Sequence, residues 1–487
     1  MRRFRIFYLI GIMLMFLALT MLFSALWSFA EQGPDRIAFL QAILLTAAVG
    51  FILYLFFSPS RGKELSIVEN FTLVSLAWFI AGVFGALPYH FYGVFEGNYL
   101  HAFFESISGI TTTGATLIED IEVLPRGLLL WRSFTQWLGG MGIIVLFIAI
   151  LPKFGFRSMK MFKAELPGPV AERIVPRVAA TARHLWLIYV GLSFMQIILL
   201  MFCGLNFYDS LSHALTTMPT GGFSPYNASI AALNNPMAEI VIIFFMLFAG
   251  INFVIYFRII QGDFKVFKNP ELRFYLAVII AAITLVTFNT FEHAAGGDFS
   301  LALRQSAFQV VSITTTTGYA TTDFDSWHNF SRLLLLMLMF FGACGSSTGG
   351  SIKQVRWMLM AKFAFREIHR VIHPSAVSSV KLGKQSIGEE VLLTTMGFGF
   401  LYLLITALST LALAFMGLDT ETAFSAVAAT IGNVGPGLGG VGPAETYQVI
   451  PPAGQFLLPV LMVIGRLEIF TVLVIFLPES RRIWRTA

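Results

Sequence analysis

The sequence predicts an all-α integral membrane protein in which four helix, pore loop, helix units surround one axis, preceded by a two-helix N-terminal extension. Three observations carry this. Of the 487 residues 56% are hydrophobic and only 12% charged, and the mean hydropathy is +0.77, more apolar than a soluble core of this length uses. Apolar runs of about 20 residues, enough to cross a bilayer, recur along the chain. Four shorter, semi-polar stretches between those runs resemble one another.

The candidate spans are ten: Phe4–Phe29, Ile37–Phe57, Phe71–Phe91, Leu128–Leu151, Leu185–Leu205, Ala238–Ile260, Phe274–Phe291, Leu333–Leu359, Val391–Met416 and Phe456–Leu477. Short loops rich in Lys and Arg stay cytoplasmic during insertion. Counting from an inside N-terminus (Arg2, Arg3, Arg5) puts Arg61 and Lys63, Lys153 to Arg183, Arg258 to Lys268, Lys353 to Lys384 and Arg481 to Arg485 on one side. The opposite side receives the acidic residues, among them Glu31, Asp35, Glu119, Asp120, Glu122, Asp298, Asp323, Asp325, Glu421 and Glu445. Both termini are then cytoplasmic. The net charge of +5 and the pI near 9.1 read as a topology signal, which makes nucleic acid a poor partner. Small residues in Ser28-Phe29-Ala30 leave a cleavable signal open, although the preceding apolar run is longer than such a signal needs. Cys203 and Cys344 both fall in predicted membrane segments, so free thiols are expected and no disulfide framework.

After the two leading spans, hydrophobic segments come in pairs, each enclosing one of the related stretches. These run from Ala102 to Gly114, Leu211 to Gly222, Ala307 to Gly318 and Ala423 to Gly435. The expected segments are 1–57 for the extension and 58–165, 166–268, 269–375 and 376–487 for the four units. Each stretch begins with an amphipathic segment too short to span and runs into Thr and Gly. That is the profile of a re-entrant half-helix followed by extended backbone. Irregular backbone is tolerated at membrane depth only where it is buried in protein or lines a water-filled path, and four such segments around one axis satisfy both conditions. Glycine accepts backbone conformations closed to other residues, which lets successive carbonyls point one way and replace the hydration shell of a monovalent cation. For one motif alone, close helix packing is the competing reading; four copies at matching offsets favour pore loops.

These loops, their paired spans and the two-span extension resemble the TrkH branch of the Trk/Ktr/HKT superfamily of potassium transporters, over essentially the whole chain. The resemblance implies one filter glycine per unit, here Gly114, Gly222, Gly318 and Gly435, with further carbonyls from Thr112, Thr113, Thr220, Gly221, Thr316, Thr317, Asn433 and Val434. Members with serine at the first of these glycine positions tend to favour sodium; Gly114 therefore points to potassium. The run Gly342-Ala-Cys-Gly-Ser-Ser-Thr-Gly-Gly350 disfavours continuous helix and should break the span of the third unit. The resemblance makes its core, Gly345, Ser346, Ser347, Thr348, Gly349 and Gly350, a gate under the filter; a static kink is the alternative. Arg466 lies within the last span, where a charge marks a functional site by default. It is expected to hold loop carbonyls and repel cations, the alternative being an ion pair with Glu468. His213, Glu105 and Asn252 receive no role beyond capping or interhelical hydrogen bonds.

No phosphate loop, metal-ligand cluster or nucleophile elbow stands in a suitable context, so the chain does not read as an enzyme and no cofactor is expected. Potassium is the substrate, with rubidium as its analogue. The competing transport reading is a sodium- or proton-coupled carrier, but such proteins usually show inverted or two-part repeats, whereas the four copies here share one orientation. The resemblance further implies a bacterial inner membrane, a homodimer in membrane lipid and a cytosolic, nucleotide-sensing ring of the TrkA type.

Overall fold

The computed structural model describes residues 4–57, 67–140, 142, 178–292, 295–374, 378–383 and 385–476. The N-terminal hairpin consists of α1 (Phe4–Ala30) and α2 (Arg36–Phe57), joined through Gly33-Pro34-Asp35, with the Ser28 hydroxyl bonded to the Asp35 carboxylate. The two helices approach so closely that a Cβ on Gly11 would lie 2.8 Å from the Gly50 carbonyl, and one on Gly50 would lie 2.9 Å from the Gly11 carbonyl. Backbones meet this way where packing, with no hydrophobic drive between lipid-solvated helices, has to hold the pair.

The first unit comprises α3 (Ile67–Gly85), α4 (Leu87–Tyr92), α5 (Tyr99–Ile110) and α6 (Arg126–Gly140). The second has α7 (Val178–Phe202), α8 (Phe207–Thr217), α9 (Pro236–Gly250) and α10 (Phe253–Ile260). The third has α11 (Pro270–Thr290), α12 (Phe299–Thr314), α13 (Asn329–Leu338) and α14 (Gln354–Ile372). After a two-residue-strand hairpin, Lys381–Leu382 with Gln385–Ser386, the fourth has α15 (Glu389–Phe415), α16 (Thr420–Ile431), α17 (Pro452–Arg466) and α18 (Ile469–Leu473). Asparagine followed by proline starts α9 and α11, the side-chain oxygen capping the first turn and the proline fitting a position whose N–H needs no partner. α1 packs on α3 and α6, α3 on α5, α7 on α8, α11 on α12 and α15 on α16, while α17 lies against both α5 and α16.

Among the described residues six helices are long and apolar enough to cross a membrane, seven if the α9–α10 pair is one bent span. Large apolar side chains such as Phe56, Phe202 and Phe415 stay exposed on them, as a lipid-facing surface requires. The protein is a multi-pass, all-α membrane protein.

Three expected spans are not continuous. Leu333–Leu359 is broken between α13 and α14 as the glycine run predicts. Ala238–Ile260, read as one span, bends by 95° between α9 and α10, where Asn252 accepts from the Val254 N–H and caps the new helix. Phe456–Leu477 divides at Leu467 and Glu468, the latter at φ +62°. The far half of Leu128–Leu151, most of the basic stretch 153–183, Arg2 and Arg3, Arg61 and Lys63, Lys384 and Arg481 to Arg485 lie outside the described residues.

Candidate functional site

The four short helices α5, α8, α12 and α16 begin alike. Asn98, Asn206, Asp298 and Asp419 stand at their N-caps, each accepting from a backbone N–H of the first turn. They also end alike. The N–H of Thr113, Gly221, Thr317 and Val434 donates five residues back, to the carbonyls of Ser108, Thr216, Ser312 and Ala429, at 2.8–2.9 Å. The next residue in each case is Gly114, Gly222, Gly318 or Gly435, with φ of +85°, +78°, +81° and +102°. Two residues earlier, Thr112, Thr220, Thr316 and Asn433 also hold positive φ, from +53° to +62°. A left-handed Thr is uncommon and costs about 1–2 kcal/mol; three occur at equivalent positions, each sustained by the same turn.

The four loops close on one another in chain order. A Cβ added to Gly114 would meet the carbonyl of Gly221, on Gly222 that of Thr317, on Gly318 that of Val434 and on Gly435 that of Thr113, always nearer than 3.0 Å. Each glycine is thus packed by the carbonyl of the residue before the next unit's glycine, and the fourth returns to the first. A cavity of about 130 Å³ is lined by all four glycines together with Glu119, Glu445 and Tyr447. Four helix C-termini, each a partial negative charge, end in the loops that line it.

Side chains that sequence reasoning passed over brace the ring. Gln136 donates to the Gly221 carbonyl at 2.7 Å and accepts from the Phe223 N–H at 3.1 Å. The Tyr447 hydroxyl donates to the Gly435 carbonyl at 2.6 Å. Tyr319, next to Gly318, reaches the second unit through Thr216 and the His213 carbonyl. Asn433, named above for its carbonyl, also braces the ring with its side chain, donating to the Thr113 hydroxyl at 3.0 Å and to the Met462 carbonyl at 2.9 Å. An intramembrane glutamine is the kind of residue that should have been flagged; the tyrosines give no signal without the fold. Glu105, given no role, forms a 2.8 Å ion pair with Arg132, both at most 1% exposed. Its carboxylate also accepts from Thr116 and the Leu117 N–H, while Arg132 donates to the Ser224 carbonyl at 3.2 Å. The pair therefore joins the segments after the first and second glycines. Removing one partner of such a pair costs about 3–5 kcal/mol.

Beneath the ring lies the broken stretch between α13 and α14. Its ends are stitched together, with the Gly342 N–H on the Ile352 carbonyl at 3.0 Å and the Gln354 amide on the Gly342 carbonyl at 2.7 Å. Outward, the Gly350 N–H donates to the Thr316 hydroxyl at 2.7 Å, two residues before the third loop's glycine. Thr348 donates to the carbonyls of Met218 at 3.0 Å and Ala249 at 3.1 Å. The Cys344 N–H reaches the Gly250 carbonyl at 3.0 Å, and the Phe253 N–H reaches the Ser346 carbonyl at 3.1 Å. The bend at Gly250–Asn252 is what frees these backbone groups.

Arg466 completes this level. Its guanidinium donates to the Thr348 carbonyl at 2.7 Å and to the carbonyls of Gly139 and Gly140, at the end of α6, at 2.8 and 2.7 Å. Glu468 forms a 2.5 Å ion pair with Arg356. Lys353, counted above among cytoplasmic charges, is corrected by the structure: it is 2% exposed and its ammonium is bonded to the Gly349 carbonyl. Positive-inside counting cannot tell a buried lysine from a loop lysine. Arg466, Lys353, Ser346, Ser347, Gly349 and Gly350 share a second cavity, of about 70 Å³. Cys344 is buried and Cys203 lies just past α7, both as free thiols.

The structure thus sets the four glycine loops and the broken stretch after α13 at two adjacent levels. Residues 36–486 match the family profile described as "TrkH: Cation transport protein". The Trk system potassium uptake protein TrkH of Escherichia coli (strain K12) is 37% identical over 482 residues, covering 98% of both chains. The Trk system potassium uptake protein TrkG of the same organism is 34% identical over 432 residues, 88% of both chains. The crystal structure of the potassium transporter TrkH from Vibrio parahaemolyticus superposes with a TM-score of 0.88 at 33% identity, covering 98% of this chain and 99% of that one. A cation transporter and not an enzyme, the chain belongs to the TrkH family.

Proposed function

We propose that this chain takes up potassium across the membrane through a pore whose selectivity filter is the ring of Gly114, Gly222, Gly318 and Gly435, with the carbonyls of the two residues before each glycine. The observation that carries the reading is the closed order of the four loops, each glycine packed by its neighbour's carbonyl. Such a ring offers a dehydrated cation several oxygens at fixed distance. The relatives' description as potassium uptake proteins supports potassium as the ion.

Residues 345–350 are the gate, held under the ring by Arg466, whose fixed charge discourages cations until the loop moves. Both termini lie in the cytoplasm, a reading the basic loops support, and the bacterial potassium uptake relatives support an inner-membrane location. A homodimer and a cytosolic nucleotide-sensing ring of the TrkA type complete the proposed system. Conduction through a gated pore needs no coupling ion.

Expression in cells lacking potassium uptake tests this. Growth at low potassium and rubidium uptake are expected to return, and flux into proteoliposomes should persist without a sodium or proton gradient. Absence of rubidium uptake by correctly inserted protein contradicts the function; a fixed stoichiometry with sodium or protons supports the carrier.

A further inference from the structure

Glu271 stands in the first turn of α11, 8% exposed, behind the gate loop as seen from the filter. One of its carboxylate oxygens, Oε1, accepts from the Gly345 N–H at 2.7 Å and from the Val355 N–H at 3.2 Å. Gly345 opens the loop and Val355 lies in the first turn of α14, where a backbone N–H has no intrahelical acceptor. A single oxygen therefore ties together the two ends of the segment that carries Thr348, Gly349 and Gly350 to the filter. Just inside these ends Ser346 and Ser351 both hold φ of +55°, a conformation that non-glycine residues keep only when their surroundings enforce it.

Two of the loop's tethers share an address. The Phe253 N–H that holds the Ser346 carbonyl is at the start of α10, and Glu271 is at the start of α11. Between α10 and α11 runs only the connection 261–269. A cavity of about 420 Å³ opens beside it, lined by Arg258, Lys265, Lys268, Glu271, Gly345 and Val355 among others. The carboxylate is thus reached from the face that carries these basic side chains.

We propose that Glu271 is the positioning residue of the gate: it clamps both hinges of the loop in the non-conducting position, and displacement of the 261–269 connection releases them together. The inference rests on reading residues 345–350 as a gate. Charge-assisted hydrogen bonds to a carboxylate are the strong kind, and here both are lost at once if Glu271 moves.

The test uses the full chain in proteoliposomes, with rubidium influx, the potassium-to-sodium permeability ratio and backbone hydrogen exchange read on the same samples. Glu271→Ala is expected to raise basal rubidium influx about tenfold, to speed exchange at Gly345 and Val355 together, and to leave the permeability ratio unchanged. Glu271→Gln, which keeps an acceptor oxygen, should return influx most of the way to the parent. If Glu271→Ala leaves influx and exchange unchanged while Arg466→Ala raises influx, the clamp is overturned and the gate stands. If neither raises influx, the gate reading itself fails. Should the alanine variant not fold, Glu271→Met, which keeps the volume and removes the acceptor, decides: faster exchange at both amides supports the clamp, and parental exchange refutes it.

Discussion

Gly114→Ser is expected to cut the preference for potassium over sodium by at least tenfold while the protein still inserts and conducts. Serine at φ +85° sits where L-residues pay about 1–2 kcal/mol, and its Cβ would fall on the Gly221 carbonyl. That carbonyl is pinned by Gln136, so the first loop has to yield. A shift of even a few tenths of an ångström on one side of the ring changes the oxygen cage for a dehydrated ion, and about 1.4 kcal/mol between two ions is a factor of ten. Reversal potentials in mixed potassium and sodium solutions measure it; an unchanged permeability ratio counts against the filter assignment.

Arg466→Ala should act on rate and leave selectivity intact, raising unstimulated potassium flux about tenfold. Three carbonyls from two units, those of Thr348, Gly139 and Gly140, converge on the guanidinium. Hydrogen bonds to charged groups contribute about 1.5–3 kcal/mol each, so the loop loses its tie to α6. The ion also loses a repulsive charge: at ~4 Å and an effective dielectric of ~20, like charges repel by about 4 kcal/mol, and by half that at twice the distance. Arg466→Lys keeps the charge but not the fork that spans the three carbonyls, and should fall between parent and alanine. Flux unchanged in Arg466→Ala, measured without any regulatory partner, leaves the residue only a structural part.

Which parts of this machinery could be read from the sequence follows from how each is encoded. The ring of four loops is legible because its backbone demands glycine at φ near +80° to +100°, and that demand is written four times at matching offsets. The break after α13 is legible because a run of glycine and serine cannot stay helical. The 95° bend at Gly250-Ile251-Asn252 escaped notice, since one glycine in an apolar span is ordinary in membrane helices and the Asn252 cap shows its purpose only once α10 turns away. At the division Glu468 pairs with Arg356, more than a hundred residues earlier, a contact no local pattern announces. Arg466 is recognisable as a charge within a span, and the resemblance already directs it to loop carbonyls; its further partners at the end of α6, the carbonyls of Gly139 and Gly140, are what no pattern of side chains announces. Glu271 and Lys353 were hidden for a related reason: both stand beside basic loops in sequence, and only tertiary structure shows their bonds to the loop.

The central claim, that the four glycine loops form the ion site, is tested most directly by anomalous diffraction from crystals of the full chain grown in rubidium. A rubidium peak on the axis between Gly114, Gly222, Gly318 and Gly435, weakened in Gly114→Ser, is the predicted result. Rubidium bound elsewhere in the membrane region with the ring empty would contradict it.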